Sequence, residues 1–290
     1  MSDTSLINIG ELSKPATVLI EKVSSAIGVL YEPRRIRREA EAKADAALVE
    51  AESRIQIGEL ERRALTRFVV EQTREQKNIE DITTKALPNL NPGSDPSAMD
   101  EDWISDFFSK CRRVSNEEMQ SLWSSLLAGE ANQPQSVSKR TVDFVAAMDR
   151  ADAETFTRVC RFSTNSLNET LIFDTSHQIL ADNGVTWADL SHLDAIGLIQ
   201  LGSLTGFARM GFPEQVRIGL AGEFLEITLK ENKGKRQIGT GEVTLTRIGR
   251  ELRRFVQFEP ADGFYDYCVE NWSKDKNCTL SSPYPRIQLL

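Results

Sequence analysis

The feature that most constrains this chain is a long charged helical pattern from about Pro33 to Lys85, with no reactive motif inside it. From Glu39 to Glu61 the text is rich in Ala and Glu, both strong helix formers, with Lys and Arg at regular intervals. Opposite charges fall three or four residues apart, as in Glu39–Lys43 and Glu50–Arg54, where side chains meet on a helix surface. The apolar positions Ala44, Ala47, Leu48, Ala51, Ile55, Leu60, Ala64, Leu65, Phe68 and Val69 hold no strict heptad. A helix docked in an antiparallel hairpin or an oligomer therefore fits better than a parallel zipper. Gly58 weakens the middle and marks a kink or a close packing point. A helix continuing through Asn78 to Ala86 places Ile79, Ile82 and Leu87 on one side. A polar-faced helix of this length is hard to stabilise alone in water, so self-association is expected, with packing on the preceding helix as the alternative.

That preceding helix is predicted from Ser13 as cap, with Pro15 tolerated in the first turn and Val18, Leu19, Val23, Ala26, Ile27 and Leu30 at helical spacing. It ends near Tyr31-Glu32-Pro33. Arg34, Arg35, Arg37 and Arg38 follow and are candidate partner or anion contacts. An amphipathic helix beside basic residues can lie on an anionic lipid surface, but acidic residues follow closely, so peripheral membrane contact is not favoured.

The chain has 290 residues, enough for one large domain or two small ones plus an extension. Its net charge of -8 argues against a general nucleic-acid coat, which relies on a basic surface. Four scattered cysteines without a secretory signal are expected as reduced thiols in a cytoplasmic protein, and no run of eighteen apolar residues indicates a membrane span.

The segment Pro88 to Pro96, dense in Pro, Asn and Gly, reads as a linker. Beyond it, Asp100 or a neighbour starts a helix with Trp103, Ile104, Phe107 and Phe108 inward. Ser115 and Glu118 form a capping-box pattern for a second helix, with Met119, Leu122, Trp123, Leu126 and Leu127 as its apolar stripe. A helix from Ser138 to Met148 and another capped by Asp149 complete a compact module. Trp103 and Trp123 are read as core. Glu117, Glu118 and Glu130 are read as capping and solvated residues rather than a catalytic pair.

In the last third, Thr186 and Asp189 form another capping box. Gly197 and Leu198-Ile199 lead from the helix into a strand. Val216, Ile218 and Leu220 alternate, as do Phe224 and Ile227, followed by a short strand at Val243 and Leu245 and a helix capped by Thr246. This order resembles a winged helix. The helix that would read DNA carries Asp189, His192 and Asp194 but no Lys or Arg, a poor surface for a duplex. A basic hairpin around Lys230 with Lys233, Lys235 and Arg236 could act as a wing against phosphate or stay a solvated turn. The tail holds Phe264, Tyr265, Tyr267 and Trp272 in a loop-rich end, with a final strand at Ile287–Leu290.

The expected class is mainly α with a small α/β part. The expected organisation is a helical arm (1–87), a linker (88–99), a central helical module (100–165), a winged-helix-like module (166–260) and a tail (261–290). No residue is singled out as catalytic, cofactor-binding or metal-ligating. His177, His192 and Cys160 match no zinc spacing, and Gly239-Thr240-Gly241-Glu242 lacks the ending of a phosphate-binding loop.

Three stretches carry a resemblance: Lys14-Pro15-Ala16-Thr17 through Pro33–Arg38, Asp102-Trp103-Ile104 through Ser115–Trp123, and Leu126–Ala131 with Ser138–Thr141. In these the chain resembles a bacterial family known as domain of unknown function 2806. The central text is also similar to the alpha-type abortive infection proteins, in a helix that starts at a Ser-x-Glu-Glu-like motif and ends in Leu-Leu-Ala. This second likeness implies a role in phage defence without identifying a chemistry. The resulting expectation is a non-enzymatic homo-oligomer, a sensor or scaffold that binds a partner protein, with Leu48, Ile55 and Leu65 as assembly positions. The alternatives are a nucleic-acid-binding regulator acting through the basic wing and arginine cluster, and a membrane-acting effector.

Overall fold

The computed structural model of the chain describes residues 12–28, 58–202, 206–231 and 234–281. It is mainly helical, with small antiparallel sheets, and divides into two units, Met1–Ala146 and Ala147–Leu290. The division falls upstream of the 165/166 boundary drawn from sequence.

In the first unit, α1 (Lys14–Ile27) starts where Ser13 Oγ accepts the Ala16 N–H at 3.4 Å, with Pro15 in the first turn. It lays Ala16, Leu19 and Val23 against α3 (Glu101–Cys111), and Lys22 pairs with Glu101 at 3.3 Å. The helix ends at Ile27, one turn short of the expected Leu30. Helix α2 (Glu59–Ala86) begins at Gly58, whose N–H donates to Glu61 Oε2 at 3.0 Å. Its second half buries Asn78, Ile79, Ile82, Thr83 and Ala86 as it packs on α4 (Glu117–Asn132). The expected helix upstream of Gly58 lies outside the described residues.

Asn78 fixes the α2–α4 register. Its Nδ2 donates to Arg112 O at 2.9 Å and Ser115 Oγ at 3.1 Å, while its Oδ1 accepts from Gln120 Nε2 at 3.2 Å. A buried amide is tolerated only when bonded in this way. Asn78 also explains why Ser115 is not the cap the sequence indicated. Asn116 Oδ1 takes the Met119 N–H at 3.0 Å, and Ser115 is held by Asn78. Glu130 departs from expectation too. It is buried rather than solvated, and its carboxylate accepts the N–H groups of Gln135 at 2.6 Å and Val137 at 2.9 Å, closing the turn into α5 (Lys139–Ala147). Phe107 lies at the centre of the core. Its ring is stacked on Trp103 at 5.0 Å and edge-on to Trp123 at 5.0 Å, the geometries aromatic quadrupoles favour. The Pro-rich segment 88–99 connects elements inside this unit: Leu87, Pro96 and Met99 are buried, and Asn132 bonds the backbone at Asn89 and Asn91.

In the second unit, α6 (Arg150–Cys160), capped by Asp149 with Asp152, leads into a short hairpin of β1 (Ser163–Thr164) and β2 (Glu169–Thr170). Next come α7 (Gln178–Asp182) and α8 (Trp187–Ala195), whose Thr186–Asp189 capping box forms as expected. Strand β3 (Ile199–Leu201) pairs antiparallel with β8 (Val243–Leu245), and between them in sequence β4 (Phe207–Met210) pairs with β7 (Gln237–Gly241). A hairpin of β5 (Gln215–Leu220) and β6 (Glu223–Leu229), turning at Ala221-Gly222, takes β9 (Cys278–Ser281) on its β6 edge. Helices α9 (Arg247–Arg253) and α10 (Phe264–Ser273) close the unit.

Three expectations are corrected here. In β6 the buried set is Leu225, Ile227 and Leu229, so a period of two puts Phe224 on the opposite face, where Arg217 lies 4.1 Å over its ring. The basic segment after Lys230 is a connection rather than a hairpin, because β6 pairs with β5 and β9 while β7 pairs with β4. The aromatic tail is helical: α10 buries Phe264, Tyr267 and Trp272, with the indole N–H of Trp272 donating to Gly239 O at 2.9 Å. The strand expected at Ile287–Leu290 lies outside the described residues. All four cysteines are free and buried, and burial pushes the Cys278 thiol up to about 12.

Candidate assembly surface

Helix α2 changes character along its length. In the second half, positions 75, 79, 82 and 86 repeat at helical spacing and are buried. The same face continues through 60, 64 and 68, yet every residue from Gly58 to Arg74 is exposed. Leu60 is 72 % exposed and Phe68 58 %, with Leu65 and Val69 also in solvent. Among the described residues, the apolar stripe therefore outruns its covering partner by about four turns, some 24 Å of helix. Helix α1 does not cover it, since α1 packs on α3. The flanks carry both signs, with Glu59, Glu61 and Glu71 among Arg62, Arg63, Arg67 and Arg74, and Arg67 lies 3.8 Å from Glu71. A large exposed apolar patch rimmed by polar residues marks an interaction surface.

Of the assembly positions chosen from sequence, Leu65 lies on this surface, while Leu48 and Ile55 lie outside the described residues. Phe68 and Leu60 are more exposed than Leu65. Their shared spacing with Ile79 and Ile82 was the signal that marks them, and it becomes decisive only once α4 is seen to begin beside Asn78. Of the candidate anion contacts, Arg34, Arg35, Arg37, Arg38 and Lys233 are outside the described residues. Lys235 is exposed. Arg236 pairs with Glu231 at 3.4 Å.

Helix α8 presents Trp187, 59 % exposed, beside Asp189 and Asp194. His192 Nε2 is bonded to Asp152 Oδ1 at 2.7 Å, and Arg158 pairs with Asp189 at 3.3 Å. His177 caps α7, its Nδ1 accepting the Ile179 N–H at 3.2 Å, and its ring lies 4.8 Å from that of Tyr267. Among the described residues no group of three metal-ligating side chains comes together, and no helix is long and apolar enough to cross a membrane.

Three carboxyls of this unit are held below the ordinary aspartate value of 3.8: Asp152 by His192, Asp174 by Ser176, and Asp189, where burial pushes upward but the Thr186 bonds and Arg158 outweigh it. A folded-state value below the unfolded one stabilises above the unfolded pKa and stops doing so as pH falls through the folded pKa. The urea midpoint is therefore expected to hold at mildly acidic pH and to fall as pH drops below about 4. A midpoint unchanged down to about pH 2.5 would contradict these bonds.

Neither a curated protein nor a solved structure matches this chain. The model of one family, described as protein of unknown function (DUF2806), matches residues 62–269, from the exposed half of α2 into α10. By that match the chain belongs to the DUF2806 family.

Proposed function

We propose that this chain is a non-enzymatic oligomeric protein that assembles with a second copy of itself through the first half of α2 and presents its C-terminal unit to a partner protein. The observation that carries the reading is the continuation of the α2 stripe through Leu60, Leu65 and Phe68, which no described element covers. Burying a Leu or Phe side chain contributes about 1.5–3 kcal/mol, which is forgone while this face stays in water. Mixed charge on the flanks makes the surface compatible with itself, as a two-fold interface requires.

The C-terminal unit reads as winged-helix-like: α6, β2, α7, α8, β3 and β8 follow in the order of that motif, with β3 and β8 paired and the intervening strands as an enlarged wing. The surface of α8, which carries Trp187, Asp189 and Asp194 and no Lys or Arg, supports protein contact over phosphate contact. The placement in phage defence, as a sensor or scaffold, rests on the sequence resemblance to the alpha-type abortive infection proteins.

The test is light scattering combined with small-angle scattering on the full-length protein. The expected result is a concentration-stable multiple of 32.5 kDa. The double variant Leu65→Asp/Phe68→Asp is expected to keep its helical circular dichroism and to dissociate, with association weakened at least ~100-fold, about 3 kcal/mol from two side chains. Wild-type protein that is a monomer, or a double variant of unchanged mass, rejects assembly through this face. Binding of duplex DNA at low salt would reject the reading of α8.

A further inference from the structure

The three-stranded sheet of the second unit ends on β5, whose outer edge pairs with no described strand. Gly219 shows which main-chain groups lie on that edge. Its N–H donates to Ser166 Oγ at 2.8 Å and its carbonyl accepts the Thr164 hydroxyl at 2.7 Å, both away from β6. The two-residue turn at Ala221-Gly222 gives the same alternation, since it closes on Leu220 and Glu223 as a bonded pair. Gln215 and Arg217, at the same parity as Gly219, therefore turn their N–H and C=O groups away from β6 as well. Among the described residues these groups meet no hydrogen-bond partner. Gln215 and Arg217 are exposed, and Val216 between them is half-buried.

An open edge is a template for another strand. Two copies of this edge can pair antiparallel about a two-fold axis, with outward groups facing each other, in three registers. Centred on Arg217, the pairing opposes two guanidinium groups and calls on Gly219, whose groups are already bonded. Centred on Gln215, it sets Arg217 opposite the partner's Pro213, which has no N–H to donate. Centred on Val216, it sets Gln215 opposite the partner's Arg217 and the reverse, and every free group at these two positions is used. That register also sets the already bonded Gly219 opposite the partner's Pro213, so the absent N–H costs nothing there.

The side chains agree with the Val216 register. On the exposed face Arg217 has Glu226 directly across on β6, and the partner's Gln215 falls on its other side, so no like charges are directly opposed. On the other face the row Leu280, Ile227, Val216 runs on into the partner's Val216, in the non-bonded type of pair where side chains come closest.

We propose that β5 pairs antiparallel with β5 of a second copy, about a two-fold axis at Val216. The pairing lies wholly in the second unit and is separate from assembly through α2. A chain with two different two-fold surfaces links copies alternately through each, so assembly grows beyond a dimer. A contact this short is weak by itself, with an expected dissociation constant of about 0.1–1 mM.

The test is oxidative trapping of Val216→Cys in the full-length protein at about 0.1 mM, read on a non-reducing gel. All four native cysteines are buried, so a disulfide dimer reports the new thiol. Val216→Cys is expected to cross-link at least about tenfold faster than Gln215→Cys or Arg217→Cys, whose copies are diagonal neighbours about 7–8 Å apart. The Leu65→Asp/Phe68→Asp background is expected to leave this trapping in place, which separates it from the fate of the α2 interface. Gln215→Pro removes an N–H that bonds nothing within the described protein, at an edge position where proline is tolerated. Added to Val216→Cys, it should leave Tm unchanged and slow trapping about tenfold. Val216→Cys that stays monomeric, equal trapping at Gln215→Cys or Arg217→Cys, or trapping indifferent to Gln215→Pro overturns the proposal. Trapping only by an added acidic peptide that carries one cysteine would give the edge to a partner's strand, and overturns it too.

Discussion

Replacing Glu169 with alanine is expected to destabilise the C-terminal unit by about 3 kcal/mol, a drop of roughly 10 °C in Tm. Glu169 sits in β2 with its side chain buried, and its two oxygens collect donors from three elements. Oε1 takes the N–H of Leu245 in β8 at 2.6 Å, and Oε2 takes Thr244 Oγ1 at 2.9 Å and Arg250 Nη2 of α9 at 2.9 Å. Alanine leaves the Leu245 N–H and the Thr244 hydroxyl buried without an acceptor, at about 1–3 kcal/mol each. Arg250 is 40 % exposed and recovers water, so its share is smaller than that of a fully buried pair. Glu169→Gln keeps an acceptor oxygen but presents an amide NH₂ to donors on its other side, and about half the loss is expected. Urea unfolding followed by circular dichroism measures both. A loss below about 1 kcal/mol for the alanine variant would show that these bonds do not hold β2 to β8 and α9.

Glu169 also shows where sequence reading stops. Nothing local distinguishes it from the chain's other carboxylates, because apart from the adjacent Thr170 N–H its donors lie more than seventy residues away. The same holds for Asn78 and Arg253, whose partners lie more than thirty residues away and are brought together by the fold. By contrast, the elements whose signals are local were legible. Asp100 and Thr186 cap the helices their positions indicate, and Trp103, Phe107 and Trp123 fall in the core that their three-and-four spacing implies. Helix α10 was hidden because its aromatic residues sit in a polar, loop-like text, and burial of Tyr267 and Trp272 against distant backbone outweighs that local preference. The apolar stripe of α2 was visible in sequence. Which half of it lacks a cover among the described residues was not, since that depends on where α4 begins alongside α2.

Gly241→Ala is expected to be the costliest single methyl group in the chain, at about 4 kcal/mol. Gly241 ends β7 with φ at +103°, a conformation that L side chains rarely adopt, and a Cβ built there would fall on the carbonyl of Ile172 and on Cα of Phe173. Those are backbone atoms and cannot rotate away. Ile172 is held there by its parallel bridge to Gly241, by the Glu242 N–H at 2.7 Å on its oxygen, and by Phe173, whose own N–H donates to Tyr267 Oη at 2.7 Å. Making room for the methyl therefore means giving up the contact that ties the chain after β2 to the β7–β8 corner, and with it the seat of α10. Gly211 is the control. Its φ is +93°, yet nothing lies within 4 Å of a built Cβ, so alanine there carries only the conformational cost of about 1–2 kcal/mol. The difference between the two variants in urea midpoint isolates the steric term from the backbone term. Equal losses at the two positions would mean that the close approach at Ile172 relaxes freely and does not hold this corner together.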